Sequence, residues 1–299
     1  MPIIYQQISE LRAALQPYRG QRNDKPDSAQ RIALVPTMGN LHEGHLELVS
    51  IAKQHADIVV VSIFVNPTQF GEGEDFESYP RTLDEDVAKL ATVGTDYVFA
   101  PSIAEMYPVM PAPTSVLAGG ITTQLCGQSR PGHFDGVGIV VSKLFNIVQP
   151  GVAVFGQKDY QQLAIIKQLV RDLSYPIEIV GAPIVRAADG LALSSRNQYL
   201  SAAERETAPV LHAELQRLAQ QLMSNKLSMP EFEALLAETS QRISNAGFNI
   251  DYLEVKTDAL KSVINDAEVF NVENENLIIL VAAWLGRARL LDNQVVTVH

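Results

Sequence analysis

The clearest pattern along the chain is an alternation of apolar blocks with helical stretches. Ile32-Ala33-Leu34-Val35 and Ile58-Val59-Val60-Val61-Ser62-Ile63-Phe64-Val65 are near-continuous apolar runs. Such runs predict parallel strands buried on both faces. Between them Leu46, Val49, Ala52 and Ala56 recur at helical spacing. The same texture returns with a short strand at Tyr97–Ala100, a further stretch at Thr114–Leu117 expected to be extended, and strands at Val152–Phe155 and Ile177–Val180. Helices are predicted over 8–18, from a capping box at Thr82-Leu83-Asp84-Glu85 to a stop at Gly94, over Val137–Val148, and from near Asp159 to Leu173. Residues 20–30 read as a polar loop, and the glycine-rich Gln128–Val137 as a mobile loop. This βαβ order predicts an α/β fold, a parallel sheet with right-handed crossovers.

From Ser201 the texture changes. Capping boxes at Ser201 and Ser228 open two helices, to about Met223 and to Gly247. The first reads as a solvated amphipathic helix. Ile250–Val255, Leu277–Trp284 and Ala288–Leu291 read as antiparallel strands. A smaller α+β C-terminal domain, helices plus a short antiparallel sheet, is expected over 184–299, after a first domain over 1–183.

Composition narrows the function classes. A chain of 299 residues with 46% apolar and 19% charged content is ordinary for a soluble globular protein. No apolar run reaches membrane-spanning length, and the start lacks a signal-peptide pattern. A single cysteine, Cys126, makes neither an internal disulfide nor a metal cluster. These features favour a cytoplasmic protein with no membrane partner. The net charge of −11, without a basic cluster, argues against a nucleic-acid partner.

The candidate chemistry lies where strands turn into helices. Val35-Pro36-Thr37-Met38-Gly39-Asn40-Leu41-His42-Glu43-Gly44-His45 joins the first buried strand to its helix. A helix start aims backbone N–H groups and a positive dipole end at an incoming anion. His42 and His45, three apart, would share one face there. The His-Glu-x-x-His metalloprotease pattern fails because the second histidine comes one residue early. The dinucleotide fingerprint and Walker A pattern are absent. The plainer alternative is a polar helix start with two incidental histidines. Asn66 and Gln69 follow the next strand and suit either a ligand or a turn. Arg130 and His133 suit a phosphate or a plain surface loop. Lys158, at the second strand-to-helix corner Gly156-Gln157-Lys158-Asp159, suits a phosphate as a point charge. After the Asp189-Gly190 turn, Ser194, Ser195 and Arg196 bring two hydroxyls and a cationic fork that fit a triphosphate, or else an N-cap with a surface arginine.

The His-x-Gly-His element resembles the signature of the nucleotidyltransferase and class I aminoacyl-tRNA synthetase superfamily. Five ordered blocks are similar to the pantothenate synthetase (pantoate–β-alanine ligase) family: PTMGNLHEGH at 36–45, FVNPTQF at 64–70, RPGHFDGV at 130–137, FGQKDYQQ at 155–162 and DGLALSSRN at 189–197. The last stands where the superfamily has its K-M-S-K-S loop and lacks the lysines, as this family's version does. Gln157 stands where Glu is frequent.

The resemblance implies ATP-dependent joining of pantoate to β-alanine through an acyl adenylate, with Mg²⁺, in a homodimer. It implies an ATP site of Met38, Gly39, Asn40, Leu41, His42, Glu43, Gly44, His45, Gly156, Gln157, Lys158, Asp159, Val185, Leu193, Ser194, Ser195 and Arg196. His45, with His42 and Lys158, would be catalytic, His45 as proton donor. Gln69 and Gln162 would hold pantoate, and Gln69 also β-alanine. The first domain, Rossmann-like, would bind nucleotide and pantoate and the second act as lid, with 66–80 and 125–136 as mobile walls. No metal ligands are implied. The rival readings are an HxGH nucleotidyltransferase acting on a different small molecule and a nucleotide sensor without turnover.

Overall fold

The computed structural model describes residues 1–19, 30–71, 73–224, 227–264 and 276–297. The expected loop at 20–30 lies, all but Gln30, outside them. The chain divides into two compact units, Met1–Gln157 with Ile165–Pro183, and Lys158–Ala164 with Ile184–His299.

In chain order the elements leading through the first unit are β1 (Ile3–Tyr5), α1 (Ile8–Leu15), β2 (Ile32–Thr37), α2 (Glu43–His55), β3 (Ile58–Ile63), α3 (Leu83–Thr92), β4 (Tyr97–Phe99), α4 (Ile103–Met106), α5 (Cys126–Ser129), α6 (His133–Val148), β5 (Val152–Gly156), α7 (Tyr160–Asp172) and β6 (Glu178–Ala182). The six strands form one sheet in the order β1-β4-β3-β2-β5-β6, and every pairing is parallel. Ala33, Val35, Val59, Val61, Val98, Val152 and Val154 are wholly buried and pack against Val49, Ala52 and Leu90 of the helices. Burial of both faces is why these strands read as unbroken apolar runs.

The chain leaves β2 toward β3 and β4 on one side, and β5 and β6 lie on the other. The strand order therefore reverses between β2 and β5. In open α/β sheets, the crevice outside the carboxyl ends of the strands at such a reversal is where ligands bind.

Four expectations are corrected. Thr82 precedes α3 without capping it; its hydroxyl donates instead to Asp86 Oδ2 at 3.1 Å. Thr114–Leu117 is not a strand. The stretch 128–137 is not all loop, because α6 begins at His133. Gly136 serves close approach rather than looseness: a Cβ there would stand 2.1 Å from the Thr68 carbonyl oxygen. The helix expected from Ser201 to Met223 is two helices, α8 (Ala202–Thr207) and α9 (Val210–Ser224), parted at Ala208-Pro209. The strand β1, Ile3-Ile4-Tyr5, is only three residues long with two of them exposed, too short for a sequence signal of its own.

The second unit continues with α10 (Met229–Asn245), β7 (Asn249–Thr257), β8 (Leu277–Leu285) and β9 (Ala288–Val296). The strands form an antiparallel sheet in that order. Leu211, Leu215, Leu218 and Leu222 of α9 pack with Phe232 and Ile243 of α10 against Leu277, Ile279, Val281 and Ala283. Only the outer stripe of α9 is solvated. Among the described residues no helix is long and apolar enough to cross a membrane.

Candidate active site

The turn after β2 is built backbone first. Thr37 donates its hydroxyl to the Ser62 carbonyl at 2.7 Å and accepts from Gly39 N at 3.3 Å. Gly39 and Asn40 then take φ of 85° and 51°, which only glycine adopts freely and asparagine tolerates. This left-handed pair swings the chain over the first turn of α3. There Asp86, wholly buried, accepts from Asn40 N at 2.9 Å and from Leu41 N at 2.7 Å. One turn on, Lys89 donates to the Leu41 carbonyl at 2.7 Å. A carboxylate and an ammonium from one helix thus grip a single peptide segment from both sides. Leu41 turns its side chain into the sheet's core, so it offers a ligand only backbone.

The grip delivers His42 as the N-cap of α2. Its Nδ1 accepts from Gly44 N at 3.1 Å, and His45 Nδ1 accepts from His42 N at 3.3 Å. This is a reciprocal capping box made with two imidazoles in place of Ser and Glu. The rings lie 4.1 Å apart, centroid to centroid. An Nδ1 that accepts a hydrogen bond leaves the proton of a neutral imidazole on Nε2. Each ring therefore carries an Nε2–H donor at a helix N-terminus, the end that favours anions. Met38 and Gly44 are half-buried, and Glu43 is exposed.

Gln69 follows β3 in a short 3-10 turn, Pro67–Gln69, and is buried. Asn66 Nδ2 donates to Gln69 Oε1 at 3.1 Å and to the Gly136 carbonyl at 3.0 Å; Tyr107 donates to Asn66 Oδ1 at 2.9 Å. The amide of Gln69 is thereby oriented, with Nε2 3.1 Å from Met38 Sδ. Burial raises the Tyr107 phenol above its ordinary pKa, which keeps it a donor. Arg130 and His133 hold protein groups. Arg130 pairs with Glu74 through two bonds of 2.7 and 2.6 Å, and its Nη2 reaches the Gln69 carbonyl at 3.4 Å. His133 Nδ1 lies 2.7 Å from that same carbonyl.

Gly156 closes β5 and Gln157 follows, its amide donating to the Gly181 carbonyl at 3.4 Å. Since β5 runs beside β2 in the same direction, both corners lie at the same end of the sheet.

The second unit holds the remaining candidates. Lys158 is mostly covered, and its Nζ lies 3.8 Å from the Asp159 carboxylate. Gln162 is half-buried on α7. Val185 and Leu193 pair across a hairpin, Leu193 N donating to the Val185 carbonyl at 2.9 Å. Gly190 makes the turn with φ of 94°. Ser194 caps the 3-10 turn Ser195–Tyr199, its Oγ accepting from Arg196 N at 3.3 Å. The N-cap is real, and it uses the backbone of Arg196 rather than its guanidinium. Sequence pattern alone does not single out Asp86, Lys89 or Tyr107. The one available signal is Thr82 followed four residues on by an acid. No described group gathers three or more His, Cys, Asp or Glu side chains around a metal position.

A family model described as pantoate-beta-alanine ligase matches residues 3–295. The pantothenate synthetase of Psychrobacter arcticus is 72% identical over 299 residues, covering 100% of this chain and 99% of that protein. That of Acinetobacter baylyi is 54% identical over 286 residues, 96% of this chain and 95% of its own. The crystal structure of pantothenate synthetase from Thermus thermophilus matches with a TM-score of 0.84 at 41% identity, covering 98% of both chains. A pantoate-beta-alanine ligase from Francisella tularensis, complexed with beta-gamma ATP and beta-alanine, matches with a TM-score of 0.77 at 35% identity, over 98% of this chain and 97% of its own.

Proposed function

The chain belongs to the pantoate–β-alanine ligase family, and on that footing we propose how it joins its two substrates. ATP is the co-substrate, and the reaction runs in two steps. The pantoate carboxylate attacks the α-phosphorus of ATP and pyrophosphate leaves. The β-alanine amine then attacks the acyl carbon of the pantoyl adenylate, and AMP leaves with pantothenate formed.

A carboxylate is already nucleophilic at neutral pH, so the protein need not supply a nucleophile. The barrier is the approach of one anion to another. Catalysis then rests on neutralising charge and aligning the reactants. The observation that carries this reading is the imidazole capping box. Both Nδ1 atoms are occupied by backbone N–H groups, which makes both Nε2 atoms donors at the strand-order reversal.

In this reading His42 and His45 donate to phosphate oxygens, and His45 gives up its proton as charge develops. Backbone of Met38, Gly39, Asn40, Leu41, Glu43 and Gly44 lines the nucleotide on one side, with Gly156, Gln157 and Asp159 at the second corner. Lys158, Ser194, Ser195 and Arg196 take the charge of the leaving pyrophosphate, with Val185 and Leu193 beside them. Gln69 and Gln162 orient pantoate by amide hydrogen bonds, which add no charge to compete with its carboxylate. Gln69 also meets β-alanine. Residues 1–183 are assigned nucleotide and pantoate binding, and residues 184–299 the part of a lid. Mg²⁺ is usually held through substrate phosphates with one or two carboxylates, and the described residues, which gather no carboxylate cluster, are compatible with an ion that would enter with ATP and would offset phosphate charge. The protein works as a homodimer in the cytoplasm.

The test is release of AMP from ATP with pantoate and β-alanine omitted in turn. Free AMP that requires both acids, with equal pantothenate, is the expected result. AMP transferred to another acceptor would favour a nucleotidyltransferase, and no turnover under any combination would favour a nucleotide sensor.

A further inference from the structure

Two segments given phosphate-binding roles above, Lys158 and the 185–196 hairpin, are tied together by a polar network with no role in the reaction so far. At its centre is Asp292 on β9, 5% exposed. Arg186 grips it with two parallel bonds, Nη1 to Oδ2 at 2.7 Å and Nη2 to Oδ1 at 2.8 Å. The same guanidinium donates to the Gly190 carbonyl at 3.1 Å and the Asn293 carbonyl at 3.4 Å. It thus fastens the turn of the hairpin to the strand. Asp292 Oδ1 also accepts from Asn293 N at 2.7 Å. Asn293, 4% exposed, then donates from its side-chain Nδ2 to the main-chain carbonyl of Lys158 at 2.9 Å. Lys158, Ser194, Asn197 and Asp292 line one small cavity of this unit.

A bidentate arginine–carboxylate pair fixes orientation as well as distance. Buried polar groups are costly unless satisfied, so the mutual bonds of Arg186, Asp292 and Asn293 hold these three in one arrangement, with His212 Nδ1 3.8 Å from Asp292 Oδ2 beside them. The lysine side chain is long and flexible, and its reach is set by where its backbone is anchored.

We propose that Asn293 is a positioning residue: it anchors the backbone of Lys158 to the Arg186–Asp292 pair, so that the lysine and the Ser194–Arg196 loop meet the phosphates as one piece. This rests on the phosphate role given to Lys158 above. Asn293 touches no reacting atom in this account and acts only through the lysine.

The experiment is a double-mutant cycle on the full-length enzyme with Asn293→Ala, Lys158→Ala and both, reading kcat for AMP formation and KM for each substrate. Misplacing a catalytic group by about 1 Å can cost 10²-fold. For Asn293→Ala alone, kcat is expected to fall about 10- to 100-fold, with KM for β-alanine unchanged. On the Lys158→Ala background the same change is expected to cost less than about twofold, since the group it positions is gone. An equal loss on both backgrounds overturns the proposal, because a merely structural asparagine would act whether or not the lysine is present. So does turnover of Asn293→Ala within twofold of the parent. If Lys158→Ala itself turns over normally, the phosphate role fails, and the proposal falls with it; that result is distinct from the other two. Should Asn293→Ala not fold, the cycle is run with Asn293→Asp, which keeps the shape and replaces the donating nitrogen by an accepting oxygen.

Discussion

Replacing Asp86 by asparagine changes one oxygen to a nitrogen at a wholly buried site. The carboxylate accepts three hydrogen bonds there: Leu41 N on Oδ1, and Asn40 N with the Thr82 hydroxyl on Oδ2. An amide has one accepting oxygen. If that oxygen faces Leu41, the new NH₂ group points at Asn40 N, donor against donor. If the amide is flipped, Leu41 N loses its acceptor. Either way one backbone N–H is stranded, at about 1–3 kcal/mol, and the remaining bonds lose their charge assistance. We expect Asp86→Asn to lower unfolding free energy by about 2–4 kcal/mol, read from urea denaturation.

The segment that loosens carries His42 and His45. A drift of about 1 Å there is expected to lower kcat/KM for AMP formation about 10²-fold. Asp84→Asn, exposed on the same helix, is the control and should stay within about 0.5 kcal/mol of the parent. An Asp86→Asn protein as stable and as active as the parent would refute the clamp. One that is destabilised yet fully active would show that the clamp serves folding alone.

Three further outcomes are expected. His45→Ala and Lys158→Ala should each lower turnover 10²- to 10³-fold, about 2.7–4 kcal/mol of barrier, while circular dichroism stays native; near-normal rates in both would remove their assigned roles. Gly136→Ala places a Cβ 2.1 Å from the Thr68 carbonyl oxygen and 2.6 Å from Gln69 N, so backbone must move. It should cost about 1–3 kcal/mol and raise KM for pantoate, whereas Gly120→Ala, with open space, should do neither. Burial pushes the Glu74 carboxyl up, but the hydrogen bond and charge of Arg130 outweigh it and leave its pKa below the ordinary value. A lowered carboxyl pKa adds stability above the unfolded value, about 4.3, which is lost as pH falls through the folded value. Glu74→Gln should therefore be less stable than the parent by a constant margin above about pH 5, and the margin should close in more acid solution. A margin that is independent of pH would rule out the pair as its source.

How much was legible in the residues depended on whether the signal was local. The strands β2, β3 and β5 announced themselves because burial on both faces favours apolar residues at nearly every position. The histidine turn was legible because a strand, a glycine and a helix start are consecutive in the chain. Asp86 was not, since an acid in the first turn of a helix is ordinary on any solvated surface. Only the fold shows it turned inward onto Asn40 and Leu41. Gly136 misled for a related reason: glycine marks both loops and close contacts, and the contact with Thr68 spans 68 residues of chain. The N-cap role of Ser194 and its suitability for phosphate were both readable, and they are compatible, because capping uses the hydroxyl's lone pair and leaves its proton.

Arg130 joins Glu74 and, with His133, holds the carbonyl of Gln69. Gln69 and Glu74 are in this way stitched to the 130–133 stretch. Asn66 adds a further fastening through the Gly136 carbonyl, so the two segments form one leaf held at several points rather than two separate shutters. Cutting the Arg130–Glu74 pair alone leaves the His133 and Asn66 fastenings in place.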